Sequence, residues 1–316
     1  MIRTDLTNIL VTGGAGFVGS AVVEKLASNP QNFVVVVDNL HTGSMDKVPK
    51  SEHNNVKFIK CDVNNFQDIS GIFYAYRFEY VWHYAALVGV KRTLKNPVMV
   101  LNDIKGISNI LTLSKNTGVK RVFYSSSSEV YGEPVEFPQN EETTPLNSRL
   151  PYAIVKNVGE AYLRSFKKEY GLDFTIFRFF NTYGPKQSKD FVISKFIGRA
   201  LENKDITIYG EGNQTRTFCF IEDNVEACVN AFYDNKYIND VVNVGGADEL
   251  RIVDLAKLII NITGSKSQLV YLDALEEGDM TRRQPDTEKM KKLLKRDPIT
   301  LEDGIKRILV NTKYIL

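Results

Sequence analysis

The side chains best suited to chemistry lie between Ser125 and Lys156. The segment opens with a hydroxyl run, Ser125-Ser126-Ser127-Ser128, continues through Glu129-Val130-Tyr131-Gly132, and closes with Tyr152-Ala153-Ile154-Val155-Lys156. A phenol of ordinary pKa, about 10, is a poor base at neutral pH. A lysine four residues further on lies on the same helical face, and its charge favours the phenolate. A serine hydroxyl beside the pair can hold a reacting oxygen. These are the groups that alcohol–ketone chemistry on a nicotinamide cofactor needs, which makes Ser127, Tyr152 and Lys156 candidate catalytic residues. Glu129 is a candidate second base. Helices carry the Tyr-x-x-x-Lys spacing by chance, so the pair gains meaning only from a dinucleotide site upstream.

Such a site precedes it. Residues 8–12, N-I-L-V-T, read as a short buried strand, and Gly13-Gly14-Ala15-Gly16-Phe17-Val18-Gly19 follows directly. Residues 20–28 carry helical periodicity, and the apolar run at 33–37 reads as a parallel strand covered on both faces. It ends in Asp38, 19 residues after Gly19, where a ribose-binding acid belongs. The glycines permit a tight turn and close approach to a pyrophosphate, which the amides opening the helix then face. A carboxylate at Asp38 accepts from a free ribose 2′-hydroxyl and repels a 2′-phosphate. No Arg or Lys follows it directly, so the expected cofactor is NAD rather than NADP.

The elements that must position these groups alternate in the first half of the chain. Strands are expected at residues 56–60, 80–86, 121–125 and 173–178, and helices at 65–76, 97–117 and 152–170. The strand at 121–125 delivers the serine run at its carboxyl end, the edge at which open α/β sheets bind ligands. The expected fold is α/β, a doubly wound parallel sheet over residues 1–180 followed by a smaller α/β substrate lobe over residues 181–316. Further helices are expected at 191–202, 223–233, 252–262 and 287–294, with short strands at 206–209 and 218–222.

Composition removes other classes. With 40 basic and 38 acidic residues the net charge is +2, and no basic run with interleaved aromatics supports nucleic-acid binding. The Lys-rich stretch at 289–296 reads as a solvated helix face. Cys61, Cys219 and Cys228 show no C-x-x-C spacing and read as buried reduced thiols. His41, His53 and His83 form no metal-ligand pattern, and His83, inside an apolar strand, reads as structural. No metal, no membrane span and no signal-peptide layout are expected, which places the chain in the cytoplasm.

The motifs resemble the extended short-chain dehydrogenase/reductase family, in its nucleotide-sugar epimerase/dehydratase branch. V-T-G-G-A-G-F-V-G at 11–19 is similar to the family's cofactor loop, C-D-V at 61–63 to its adenine-side element, and H-Y-A-A at 83–86 to its strand-4 motif. R-F-F-N-T-Y-G-P at 178–185, Y-G-E-G-N-Q-T-R at 209–216 and G-D-M-T-R-R-Q-P-D at 278–286 resemble its substrate and diphosphate segments. The resemblance covers nearly the whole chain and implies a Rossmann-type domain with a sugar-nucleotide lobe. It implies NAD held by Gly13, Gly16, Phe17, Val18, Gly19, Asp38, Asn39, Asp62, Val63 and Ala85, with Tyr152 and Lys156. The partner it implies is a nucleoside-diphosphate sugar whose carbon 4 is transiently oxidised, with Ser127 on the reacting oxygen. The diphosphate would be held by Asn181 and Arg216, with Arg282 or Arg283. It also implies a homodimer, through the helices at 97–117 and 152–170. Two departures stand out: Val155 replaces a frequent Ser before the Lys, and Asp103 occupies the Asn place of the family's N-V-x-G-T.

A 4-keto sugar has three fates: epimerisation, 4,6-dehydration, or decarboxylation if carbon 6 is a carboxylate. One dehydratase branch carries Thr-Asp-Glu where this chain has Ser127-Ser128-Glu129, which lacks the acid. The triplet resembles the Thr-Ser-Glu of UDP-glucuronate decarboxylases and GDP-mannose dehydratases. Against these stand Ala85-Ala86-Leu87-Val88, where decarboxylases are usually Ser/Pro-rich, and Asp38, where an NADP enzyme would differ. The expected activity is a 4-epimerase, with dehydratase or decarboxylase as alternatives. A binding protein without turnover is the reading from another class, and the intact Ser127, Tyr152 and Lys156 oppose it.

Overall fold

The computed structural model describes residues 6–273 and 282–315. The chain divides into two compact units, the first comprising Met1–Val130, Ser148–Arg178 and Val225–Val242, the second Tyr131–Asn147, Phe179–Asn224 and Asn243–Leu316. This corrects the single boundary expected near residue 180. The stretch before it includes residues 131–147 of the second unit, and the stretch after it returns 225–242 to the first. The returning stretch ends within an apolar strand, Asp240–Val244, that completes the sheet beyond its sixth strand.

In the first unit β1 (Thr7–Thr12), β2 (Asn32–Asp38), β3 (Val56–Lys60), β4 (Tyr80–His83), β5 (Arg121–Ser127) and β6 (Asp173–Phe179) alternate with helices α1 (Phe17–Ala27), α2 (Phe66–Tyr76), α3 (Val90–Lys95), α4 (Pro97–Leu101), α5 (Asp103–Thr117) and α6 (Pro151–Tyr170). The sheet runs in the order Asp240–Val244, β6, β5, β4, β1, β2, β3. The β1–β2, β1–β4, β2–β3 and β4–β5 pairs are all parallel. Strand order reverses between β1 and β4, so the crevice outside their carboxyl ends is the topological switch point of a Rossmann-type fold. Val34 to Val37 are fully buried, as strands covered on both faces require. On one face Trp82 stacks on Phe123 at 4.2 Å, and Phe177 and Phe232 complete an aromatic cluster.

The second unit holds short two-stranded pairs, Thr182–Tyr183 with Cys219–Phe220, Thr215–Thr217 with Glu249–Arg251, and Ile206–Tyr209 with Leu269–Leu272. Its helix Ile252–Thr263 packs against Val192–Leu201 and Leu301–Val310. Among the described residues no helix is long and apolar enough to cross a membrane.

Three elements differ from expectation. The helix expected over 97–117 is two helices, α4 and α5. At Asn102 the carbonyl accepts from Lys105 three residues on, which tightens the turn. Leu101 is therefore 41% exposed, while Ile107 and Leu111 are buried. The fourth strand stops at His83 instead of residue 86. The Tyr84 N–H is shared between the Thr12 carbonyl and hydroxyl, both at 3.2 Å, and the Ala85 N–H turns to the hydroxyl alone, also at 3.2 Å, which ends the ladder. Of the strand expected at 218–222 only Cys219–Phe220 forms, because the helix Ile221–Tyr233 begins at once.

Candidate active site

The glycine turn is set by its contact with the neighbouring strand. Gly13 has φ +69°, and a Cβ there would lie 2.6 Å from the Ala85 backbone nitrogen. Only glycine lets the turn leave β1 so close to the end of β4. Gly16 caps α1 from just before its first residue and offers no side chain to accept from the first-turn amides at Phe17, Val18 and Gly19. Such a helix end suits a pyrophosphate.

Asp38 ends β2 beside that turn and is 9% exposed. Its Oδ2 accepts the Ala15 N–H at 3.0 Å and its Oδ1 the Leu40 N–H at 2.8 Å. Each oxygen keeps a second lone pair for a ribose hydroxyl. Asn39 donates to Asp62 at 3.3 Å, and Asp62 accepts the Asn64 N–H at 2.9 Å. The Val63 carbonyl accepts from Asn109 at 2.9 Å. Asp38, Asn39, Asp62 and Val63 are thus gathered at the β2 and β3 ends, with Ala85 beside Gly13.

At the end of β5 the four serines divide their work. Ser126 donates to Glu160 at 2.6 Å, and Glu160 clamps Arg178 through two bonds of 2.9 and 2.7 Å. Both side chains of this ion pair are 2% exposed. The Ser125 carbonyl accepts from Lys156 Nζ at 2.6 Å. The Ser127 hydroxyl accepts the Glu129 N–H at 3.2 Å, which fixes it at the start of a 3-10 turn, Ser128–Tyr131. Ser128 is buried and Glu129 half-buried.

α6 carries Tyr152 and Lys156 on one face. Lys156 is 3% exposed, with its Nζ 5.7 Å from the centre of the Tyr152 ring and 5.1 Å from that of Tyr124. The helix approaches β5 this closely because residue 159 is glycine: a Cβ there would lie 2.2 Å from the Tyr124 hydroxyl. Burial brings the Lys156 ammonium down from 10.5 to about 8, while Asp103 pushes the other way. Burial, then the Lys156 charge, brings His83 down to about 3. His83 is therefore a neutral imidazole at physiological pH. The Thr12 hydroxyl already accepts two N–H groups, so it donates to His83 Nδ1, 2.8 Å away.

In the second unit Asn181, at φ +26°, donates to the Thr217 carbonyl at 2.9 Å. Arg216 sits on the Thr215–Thr217 strand, 9% exposed, paired with Leu250. Arg282 is held by Glu249 through bonds of 2.5 and 2.8 Å and lies 4.0 Å over the Phe137 ring. Arg283 is 8% exposed. Residues 278–281 of the last motif lie outside the described residues. Among the described residues no group of three or more His, Cys, Asp or Glu could hold a metal ion.

Sequence reasoning missed the Glu160–Arg178 clamp, Gly159 and Glu249. Glu160 was open to discovery, since it continues the 152, 156 spacing by one more turn. Glu249 carries no local signal, because its partner Arg282 is 33 residues away.

The chain is similar to known proteins over nearly its whole length. Residues 9–245 match the family model described as the NAD dependent epimerase/dehydratase family. A UDP-glucose 4-epimerase of Thermotoga maritima, solved with UDP-glucose, has 35% identity and a TM-score of 0.89 over 97% of this chain and 98% of that one. A UDP-glucuronate 4-epimerase of Thermodesulfobacterium geofontis is 35% identical over 94% of each chain. UDP-glucuronic acid decarboxylase 1 of Xenopus tropicalis is 34% identical over 96% of this chain and 72% of its own. The chain belongs to the NAD-dependent epimerase/dehydratase family and is an NAD-dependent nucleotide-sugar enzyme.

Proposed function

We propose that the chain is a UDP-sugar 4-epimerase. The observation that carries this reading is the grouping of Ser127, Tyr152 and buried Lys156 at the end of β5, with Ser128 where a dehydratase of the Thr-Asp-Glu type has its acid. Tyr152, as phenolate, takes the proton of the sugar 4-hydroxyl. Lys156 supplies the positive charge that makes a phenolate accessible, and the Ser127 hydroxyl donates to the reacting oxygen. NAD held beside these residues would supply the hydride chemistry at carbon 4. Gly13, Gly16 and the α1 amides hold its pyrophosphate, and Asp38 its ribose. Asn181, Arg216 and Arg283 bind the sugar-nucleotide diphosphate. Arg282 is the weaker candidate, because Glu249 already takes up its guanidinium.

Decarboxylation of a UDP-uronic acid is the second reading. Glu129, following the buried Ser128, and the similarity to a decarboxylase and to a glucuronate epimerase favour it. A panel of UDP-sugars followed by proton NMR decides. Inversion at carbon 4 is the expected outcome. Loss of carbon 6 as carbon dioxide would replace the epimerase by the decarboxylase, and a new methyl doublet by a dehydratase. No reduction of NAD with any sugar nucleotide would leave a binding protein. Glu129→Gln should leave epimerisation unchanged.

The same reading extends to assembly and location. Val98 on α4 is 74% exposed, with Leu101 at 41% and Ile154 of the adjoining α6 at 40%, and this apolar face supports a homodimer. Sedimentation would test it. All three cysteines are buried free thiols, which supports a reducing compartment such as the cytoplasm.

A further inference from the structure

The tail at 282–286 runs extended within the second unit. Gln139 donates its N–H to the Gln284 carbonyl at 2.7 Å, and the Asp286 N–H returns to the Gln139 carbonyl at 2.8 Å. Burial alternates along it: Arg283 and Pro285 are buried, whereas Arg282 and Gln284 are half-buried. Successive side chains of an extended segment point to opposite sides. Arg283 and Pro285 therefore share the inner side, and Arg282 and Gln284 the outer one. Pro285 packs where Gly245 meets Phe180: a Cβ on Gly245 would lie 2.9 Å from the Pro285 ring and 2.7 Å from Phe180 Cβ. The side that carries Arg283 is thus the side toward Phe180 and its neighbour Asn181.

On the outer side Arg282 joins three segments. It donates to Glu249 through Nε at 2.5 Å and Nη2 at 2.8 Å, and to Gln284 Oε1 at 3.1 Å. Its guanidinium lies 4.0 Å over the Phe137 ring. Glu249 also accepts the Thr215 hydroxyl at 3.3 Å. It begins the strand Glu249–Arg251, which runs antiparallel to Thr215–Thr217 and pairs Leu250 with Arg216. One carboxylate therefore touches both the residue before Arg216 and the residue before Arg283. A two-pronged guanidinium bond fixes orientation as well as distance. Lysine could supply neither the second prong nor the flat face over the ring.

We infer that the Glu249–Arg282 ion pair, seated on Phe137, is a positioning device for the diphosphate site. It pins the tail to the strand pair that carries Arg216, so that Arg283 is held ready to bind the phosphates together with Arg216. This rests on the reading of Arg216 and Arg283 as diphosphate ligands. Neither Glu249 nor Arg282 has to touch the nucleotide. Their work is to order Arg283 beforehand, which spares binding that entropic cost. The pair is partly exposed, with side chains 41% and 21% accessible, so its hold on the tail corresponds to about fivefold at most.

Calorimetric titration of the protein with UDP, in saturating NAD, tests this. Glu249→Gln should weaken UDP binding about two- to fivefold and raise the KM of the UDP-sugar by the same factor, with less effect on kcat. In that background Arg282→Gln should add nothing, and the exchange Glu249→Arg with Arg282→Glu should recover most of the affinity. If Arg282 held a phosphate itself, Glu249→Gln would free it and tighten UDP binding, and Arg282→Gln would cost affinity in the Glu249→Gln background. Either result overturns the proposal. A merely structural pair would lower the fraction of protein that binds and leave the dissociation constant in place, which overturns it equally. Tryptic cleavage after Arg283 needs no nucleotide, because its rate follows the population of the released tail. Glu249→Gln should speed that cleavage by the same factor, and an unchanged rate overturns the proposal. Faster cleavage in a protein that binds no UDP would count against the diphosphate reading and not against the pinning of the tail.

Discussion

Replacing Lys156 by methionine should abolish turnover and yet make the protein more stable at neutral pH. Burial lowers the lysine from 10.5 to about 8. A folded-state pKa below the unfolded one means that the unfolded chain binds the extra proton more tightly. The cost to the fold is complete below about pH 8, shrinks as pH rises, and is gone above 10.5. At 1.36 kcal/mol per pH unit that cost is roughly 3 kcal/mol. Methionine has a similar length and carries no charge to desolvate. It leaves the Ser125 carbonyl without the 2.6 Å bond from Nζ, a loss of about 1 kcal/mol. The expected net gain at pH 7 is therefore about 2 kcal/mol, turning into a loss of about 1 kcal/mol near pH 10.5. Urea unfolding without added cofactor measures it. The single tryptophan, Trp82, is fully buried in β4 and reports on the unit that contains the lysine. Comparing the two proteins at each pH cancels the titrations they share. A difference that is independent of pH, or a variant less stable at pH 7, would refute the linkage between burial of Lys156 and its charge.

Tyr152→Phe removes the proton acceptor and should lower turnover about 10²–10⁴-fold while NAD binding persists, as read by initial rates and calorimetry. Gly13→Ala forces a Cβ to within 2.6 Å of the Ala85 nitrogen at φ +69°, so NAD affinity should fall at least about tenfold; calorimetry giving unchanged affinity would contradict the cradle. Arg178→Met strands the buried Glu160 carboxylate and should cost about 3–5 kcal/mol in urea unfolding, much of it recovered by adding Glu160→Leu.

Much of the site could be read in the sequence because its chemistry depends on local spacing. Tyr152 and Lys156 are one helical turn apart, and the glycine turn joins a strand to the helix that follows it. Asp38 ends the next strand. Local rules placed these residues without knowledge of the fold. What escaped reading depends on tertiary pairing. The strand Asp240–Val244 joins the sheet beside β6, from which it is separated by the second unit's segment Phe179–Asn224 and the rest of the helix Ile221–Tyr233, and no local pattern announces that return. The length of β4 was overestimated because an apolar run continues past His83, while the backbone is diverted by the Thr12 hydroxyl of another strand. Gly159 looked like an ordinary helix residue, and only the Tyr124 ring beneath it explains why nothing larger fits.

These long-range features show how the fold keeps an unfavourable arrangement in place. A buried ammonium opposes folding, so α6 must be held against β5 by something stronger than the lysine's own hydrogen bond. Gly159 lets the two backbones close, and the Glu160–Arg178–Ser126 network anchors α6 one turn beyond Lys156. Replacing that buried ion pair with apolar residues of similar volume would keep the helix packed and could even stabilise it. It would also remove the oriented partner of Ser126, the serine directly before the proposed catalytic Ser127. The network therefore reads as a device for fixing the end of β5 rather than as a source of net stability. Variants carrying both Arg178→Met and Glu160→Leu should then fold well and still turn over slowly, because the hydroxyl at Ser127 loses its register with Tyr152. Full activity in such a protein would assign the clamp to stability alone.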